Sequence, residues 1–473
     1  MGNVTKQLYE QFLHWAQAHE NEMLRELSEW VQIPSVRDNA TAAAGQPFGA
    51  DCAKMADHVI KRAKEMDFTC TNHEGYCVSI QSNPTALREI GILPHLDVVP
   101  AAGEWTFSPF CGMIDGGFVY GRGTHDDKSA AVMSLYLLRA LREMEIPLKS
   151  GVRLIMGLGE ETGMEDMEYY VSKYPIPRIS LVPDSCYPVN IAQKSNISLD
   201  ISSPVPEDIL SFEGGNGKSV PGHAEIVLAY PEETVRTQLT ERAHFKIIAL
   251  PHGTKVCAEG VSVHPADPEK GVNAIALLAA AIAESNLLGA QSQQLMERIA
   301  TISSDYYGMP LGLAGEETAT GKTTAVVTRV HTESGRLILS LNCRVCHAIT
   351  KDHAVALLRD YCEKNDLKIT GLHATPGVRF NENDPAVRCL QQIWHEATGR
   401  NDPVFATGGN TYSRAFPNAI TFGIIGGGFY IADKRIPAGR GCAHEADEYI
   451  HSSVLTHGLA IYGAAVCALD RLN

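Results

Sequence analysis

The sequence predicts an α/β domain interrupted by an inserted, more antiparallel α+β domain, and three observations carry this. The chain has 473 residues, longer than one hydrophobic core usually grows. Strand-like apolar runs alternate with helical patterns over residues 1–188 and again over 383–473, the signature of an α/β layer. Residues 189–382 differ in texture, with short alternating runs and fewer connecting helices.

The opening segment from Met1 to Gln32 reads as one amphipathic, charged helix. GILPHLDVV reads as a strand and SAAVMSLYLLRALREM as a helix. GVRLIMGLGEE follows as a strand, MEDMEYYVSKY as a helix and ISLVPDS as a strand. In the insertion, AEIVLAY, HFKIIALPHG and TKVCAEGVSVH are strand-like, and NAIALLAAAIAES is a helix. TTAVVTRVHTESGRLILSLNCRV is a hairpin turning at Glu333-Ser334-Gly335. DPAVRCLQQIWHEATG then reads as a helix and NAITFGIIG as a strand.

Forty Lys and Arg against 55 Asp and Glu leave a formal net charge of −15, which repels phosphate backbones and anionic lipid. With no basic cluster to override it, a nucleic-acid partner is not expected. Neither is a membrane, because apolar runs such as AIALLAAAIA are too short to span a bilayer. The N-terminus lacks the apolar stretch of a signal peptide. Gly2 hints at myristoylation, but Lys6 stands where that signal wants Ser or Thr. Twelve cysteines without a framework suit reduced thiols, so a cytoplasmic protein is expected. Cys343 and Cys346 form a CxxC, but one within a strand pattern and without a second CxxC, which favours packing over zinc.

The chemistry-bearing residues cluster after strands. His95 and Asp97 lie two apart at a strand end, where they share a face. His95 can bind a metal through one ring nitrogen while Asp97 supports the site. Alone, a polar strand end explains them better. Tyr120-Gly121-Arg122-Gly123-Thr124-His125-Asp126-Asp127-Lys128-Ser129 sets two carboxylates before a helix, which a solvated cap also explains. Gly159-Glu160-Glu161-Thr162-Gly163 and Val182-Pro183-Asp184-Ser185 close successive strands, where open α/β sheets build their sites. Cys442-Ala443-His444-Glu445-Ala446-Asp447-Glu448 adds a second histidine far downstream. So many acids on neighbouring strand ends are costly to assemble without a cation.

These blocks, in this order, resemble the metal-site blocks of the di-zinc exopeptidase family that includes carboxypeptidase G, aminoacylase and carnosinase. HLDVVP, YGRGTHDDK, GGNTYSRAFPNAITFG and AHEADEYI are most similar to its PepV-type (Sapep-like) dipeptidases. The resemblance implies the zinc-exopeptidase fold: a catalytic domain with a mixed β-sheet flanked by helices, interrupted by an α+β lid. It implies two divalent ions, most simply zinc, with manganese or cobalt as alternatives. Asp126 would bridge them, with His95 and Asp184 on one ion and Glu161 and His444 on the other. It also implies a cis peptide at Asp126-Asp127. Glu160 would be the general base that deprotonates the attacking water, and Asp97 a second catalytic residue.

In the insertion, GVSVHPADPEKGVNAI resembles the lid motif whose histidine, here His264, meets the oxyanion. Leu341-Asn342-Cys343-Arg344 resembles the strand whose arginine holds the substrate's terminal carboxylate, a task suited to its planar fork. Thr411 and Arg414 would complete the substrate pocket. Asn410 stands where a third glycine is expected, and His125 where a small residue is. The implied activity is a dipeptidase acting on a small peptide with a free C-terminal carboxylate. A deacylase of N-acyl amino acids or a single-residue carboxypeptidase would use the same site, and a catalytically dead peptide-binding relative would lack part of it. The enlarged lid implies a monomer, with a homodimer left open.

Overall fold

The computed structural model describes residues 2–239, 245–285, 287–437 and 439–472. Met1, Asn473 and His244, the first residue of HFKIIALPHG, lie outside them. The chain separates into two compact units. One is Met1–Ile191 with Arg379–Phe405 and Asn410–Asn473, the other Ala192–Val378 with Ala406–Gly409.

The first unit is built on a mixed sheet. Its strands run in the order Thr69–His73, Cys77–Gln81, Gly151–Gly157, Glu89–Ile92, Ile179–Val182, Ala419–Phe422, Val189–Gln193. The four in the middle are parallel: Ile90 lies across from Val152 on one side and Ile179 on the other, and Ile420 across from Leu181. These strands are buried on both faces and read as near-continuous apolar runs. Their C-terminal ends therefore point the same way, and the loops that leave them gather on one edge.

Helices cover the sheet. The segment expected as one N-terminal helix is two, Gly2–Ala18 and Glu20–Val31. They break at His19, whose Nδ1 lies 2.8 Å from the Trp15 carbonyl oxygen and shares that acceptor with the backbone. Ser452–Leu469 corrects the expectation that no apolar run could span a bilayer, being 18 residues long with mean hydropathy 1.5. Its window is 83% buried, however, and it packs on Gly2–Ala18, Lys128–Glu143 and Pro385–Thr398 as a core helix.

The second unit carries an eight-stranded antiparallel sheet. At its centre, Thr324–Glu333 and Arg336–Val345 form the expected hairpin, with Ser334 and Gly335 both at positive φ as a two-residue turn requires. Apolar residues of Ala274–Glu284, Ala290–Ser303 and Lys351–Lys364 join those of the sheet in one core. The last two helices were not legible as such in the sequence. Cys343 and Cys346 are both buried, one within the hairpin and one just beyond it.

Tight packing between helices gives a direct test. A Cβ on Gly463 would come within 2.5 Å of the buried Phe12 ring. Gly463→Leu is expected to cost about 1–3 kcal/mol by overpacking, and clearly less in a Phe12→Ala background. Denaturant midpoints of the four proteins give the coupling. Strictly additive effects would mean that the two positions do not meet.

Candidate metal centre and active site

The strand Glu89–Ile92 stops earlier than expected, because Pro94 has no N–H to continue its ladder. The chain nonetheless stays beside Gly151–Gly157: Leu96 N donates to Gly157 O at 2.8 Å, and Gly157 N to Pro94 O at 3.1 Å. This fixes His95, which is fully buried. Its Nδ1 lies 2.9 Å from the Asp97 carbonyl oxygen and 3.5 Å from the carboxylate, which leaves Nε2 to face the site. The Asp97 carboxylate chiefly does something else. It accepts the backbone N–H groups of Glu160 at 3.1 Å and Glu161 at 3.0 Å, and so sets the turn that carries both acids.

That turn is held from behind as well. Gly159 N donates to Asp166 Oδ2 at 2.8 Å, and the same carboxylate oxygen accepts the Tyr412 hydroxyl. Gly157 must be glycine here, since a Cβ would collide with both groups. The sequence assigned no role to Asp166 or Tyr412. An acid in the first turn of a helix that accepts backbone N–H groups has no spacing that marks it.

Asp126 sits at the centre. The Asp126-Asp127 peptide is cis, as the family resemblance implied. Asp126 Oδ1 lies 2.8 Å from His95 Nε2, and its Oδ2 lies 3.1 Å from His444 Nε2. His444 Nε2 is also 3.0 Å from Glu161 Oε1. One carboxylate thus stands between two imidazoles, an oxygen to each. Asp127 turns away and accepts His95 N at 3.3 Å. Ligand atoms of His95, Glu160 and Asp184 lie within 4.8 Å of one another, as do those of His95, Asp126 and Glu161. All these residues belong to the first unit.

The charges confirm how crowded this is. Burial, then Asp184, pushes Glu160 well above the usual carboxylate range. Burial and Asp126 raise Asp184 to about 7, and the same two causes raise Glu161. Hydrogen bonds to Asp126 and Glu161 lift His444 to about 10. Burial works against a charged His95, but Asp126 and Asp97 hold its pKa well above the ordinary value. Glu160 Oε1 is buried with no hydrogen-bond partner among the described residues. Nitrogen and carboxylate donors this close, with an acceptor unsatisfied, fit divalent cations.

The remaining expected residues divide between the units. In the second, His264 Nε2 and Arg344 Nη2 are 3.5 Å apart. Arg344 also donates to Gly408 O and, at 3.2 Å, to Asn342 Oδ1. Burial pulls its guanidinium down to about 10, the mark of a desolvated cation. In the first unit, Thr411 caps the short turn Tyr412–Arg414, and its hydroxyl lies 3.0 Å from Ser413 Oγ and 2.9 Å from Thr421 Oγ1. Arg414 closes that turn. Asn410 Oδ1 and His125 Nδ1 are buried without a hydrogen-bond partner among the described residues.

The model of "Peptidase family M20/M25/M40" matches residues 91–468. Among curated proteins, the "Putative dipeptidase YtjP" of Bacillus subtilis (strain 168) is 27% identical over 466 residues, covering 95% of this chain and 97% of that one. A "Putative dipeptidase" of Staphylococcus epidermidis is 24% identical over 470 residues, covering 95% and 97%. Two solved structures share the zinc-exopeptidase fold at 14% identity. Human carnosine dipeptidase 1 gives a TM-score of 0.58 over 98% of this chain and 99% of that one. The M20 family metallo-carboxypeptidase Sso-CP2 of Sulfolobus solfataricus gives 0.59 over 95% and 100%.

The pKa shifts predict how the metal-free protein responds to pH. Asp184 has an ordinary value of 3.8 and a folded value of about 7, so between the two the folded chain binds a proton that the unfolded chain has lost. Its contribution is full at low pH and disappears as pH rises through that window. Without metal, the thermal midpoint of the parent should fall relative to Asp184→Asn between about pH 4 and about pH 7, and divalent metal should narrow the difference. A constant gap across that range would contradict the shift.

Proposed function

The chain belongs to peptidase family M20/M25/M40, a metal-dependent peptidase and so a hydrolase, and from that premise we propose that it is a dipeptidase. The observation that carries this is Asp126 between His95 and His444, with one carboxylate oxygen toward each. His95 and Asp184 would hold one divalent ion, Glu161 and His444 the other, and Asp126 both. Histidine and carboxylate donors without cysteine suit zinc. When bound, the two ions polarise the scissile carbonyl and acidify the attacking water.

Glu160 takes the water's proton at its carboxylate and delivers it to the leaving amine nitrogen, so no covalent acyl-enzyme forms. Its Oε1, buried without a hydrogen-bond partner among the described residues, supports that role. Asp97 keeps Glu160 and Glu161 in register through their backbone N–H groups. His264 donates to the developing oxyanion, and Arg344 takes the substrate's terminal carboxylate in its fork. Their closeness within the second unit supports a shared task. Thr411 and Arg414 shape the pocket. The substrate is a small peptide, the compartment the cytosol, and the working form a monomer.

Glu160→Gln should keep its metal yet lose about 10²–10⁴-fold in turnover, whereas Glu161→Gln should lose metal on dialysis. Elemental analysis beside rate measurements separates the two. Equal, mild effects would mean that the pair is misassigned.

Substrate chemistry is tested at both ends of the peptide. Amidating the C-terminus should cost the parent about 10- to 150-fold in kcat/KM, the value of a charge-assisted bond of about 1.5–3 kcal/mol. In Arg344→Ala that penalty should shrink, and Arg344→Lys should restore only part of it. An undiminished penalty in Arg344→Ala would remove Arg344 from carboxylate recognition. A dipeptide hydrolysed faster than its N-acetylated form supports the dipeptidase, and the reverse order indicates a deacylase.

A further inference from the structure

Glu448 has no part in the chemistry proposed above, yet it is fully buried against the Asp126 loop. Its Oε1 accepts three backbone N–H groups, from Gly123 at 2.9 Å, His125 at 2.8 Å and Asp126 at 3.1 Å. Its Oε2 pairs with the Arg122 guanidinium, which is itself buried. Its backbone oxygen accepts Gly121 N at 2.8 Å. One residue thus holds the loop from Gly121 to Asp126 almost amide by amide.

The register explains how it gets there. Phe118–Tyr120 and Tyr449–His451 pair antiparallel with Tyr120 across from Tyr449, which brings Glu448 beside Gly121. The same segment is tied down next door, where Asp447 accepts Thr106 N at 2.5 Å and the Thr106 hydroxyl at 2.9 Å. His444 lies four positions upstream of Glu448, on the same loop. Asp126 and His444 come from stretches more than 300 residues apart in sequence, and Glu448 is the side chain that spans them.

Three N–H groups converge on one oxygen, an arrangement that a carboxylate side chain serves better than a neutral acceptor, which binds each less strongly. A solvated surface acid would not be fully buried, and a simple ion pair would need only Arg122. We propose that Glu448 is a positioning residue for the metal centre, fixing the Asp126 backbone relative to the His444 loop so that the shared carboxylate reaches both ions. This rests on Asp126 and His444 being metal ligands. Support of this kind, one shell behind the ligands, typically changes metal affinity by about 10- to 100-fold.

The test is metal affinity of the metal-stripped, refilled protein, measured by competition with a chromophoric chelator and by the visible spectrum of the cobalt-substituted form. Glu448→Gln keeps the volume and one acceptor oxygen but loses the charge and turns an NH₂ toward Arg122. It should weaken binding of at least one ion about tenfold and alter the cobalt spectrum, and Glu448→Ala should weaken it about 100-fold. The graded order Gln before Ala is the signature of lost N–H contacts, and a purely structural role would instead lower the metal-free melting midpoint and leave the affinity of folded protein intact. If Glu448→Ala does not fold, Glu448→Gln decides alone. Parent affinity and an unchanged spectrum in Glu448→Gln would overturn the proposal. Parent protein and His444→Ala are titrated alongside: a parent that takes up no metal overturns the ligand assignment itself, whereas a parent that binds two ions beside unaffected Glu448 variants overturns only the role of Glu448.

Discussion

Four carboxylates and two imidazoles, all but one of them largely buried, crowd within a few ångströms where the parallel strands of the first unit end. Taking even one such charge out of water costs several kcal/mol unless something opposite stands beside it. The rest of the unit is arranged around that constraint. Hydrogen bonds among Asp126, His95, Glu161 and His444 compensate part of it, and burial still pushes the Glu160 and Asp184 carboxyls up. A pair of divalent ions is the compensation that this donor set suits.

Holding acids together against their repulsion needs a stiff frame, and the frame is itself acidic. Asp97, Asp127, Asp166 and Glu448 each give at least one oxygen to backbone N–H groups of the loops that carry the site. A carboxylate is the side chain best able to accept several N–H groups at once and bind them strongly. Each such contact fixes a main-chain position rather than a side chain, which is why neighbouring residues such as Glu160 and Glu161 can be aimed separately. The close approach at Gly157, where Tyr412 and Asp166 occupy the space of a side chain, belongs to the same frame.

What the sequence made legible follows from this division. His95, Asp126, Glu160, Glu161 and Asp184 follow strands or precede a helix in recognisable order, His444 stands in a motif far downstream, and the structure brings all six together. The hairpin at Ser334-Gly335 was legible because period-two runs flank a glycine turn. The frame was not. Asp166 and Glu448 look like solvated acids in sequence, since their partners are amides that every residue carries. Asp97 was legible as support, but its main contact is with the 160–161 turn rather than the His95 ring. The break at His19 stayed hidden because the apolar stripe continues through it, with Tyr9, Phe12 and Ala16 before and Met23, Leu27 and Trp30 after, all buried. Ala290–Ser303 stayed hidden because its polar face interrupts the apolar runs.

On the ligand assignment proposed here, the two ion positions are not equivalent. His95 is fully buried, pinned through Nδ1 to a carbonyl oxygen and through its own N–H to Asp127. The side chain of His444 is 51% exposed, and its backbone sits at φ 64, a conformation held by its loop rather than by a strand. An ion on the His95 side therefore has one of its ligands locked by the core, and an ion on the His444 side has one reached by solvent. The frame residue that steadies the His444 loop from within is Glu448, which also holds the backbone of Asp126. The backbone that carries the shared carboxylate is thus held by a side chain of the same loop that carries the more exposed histidine.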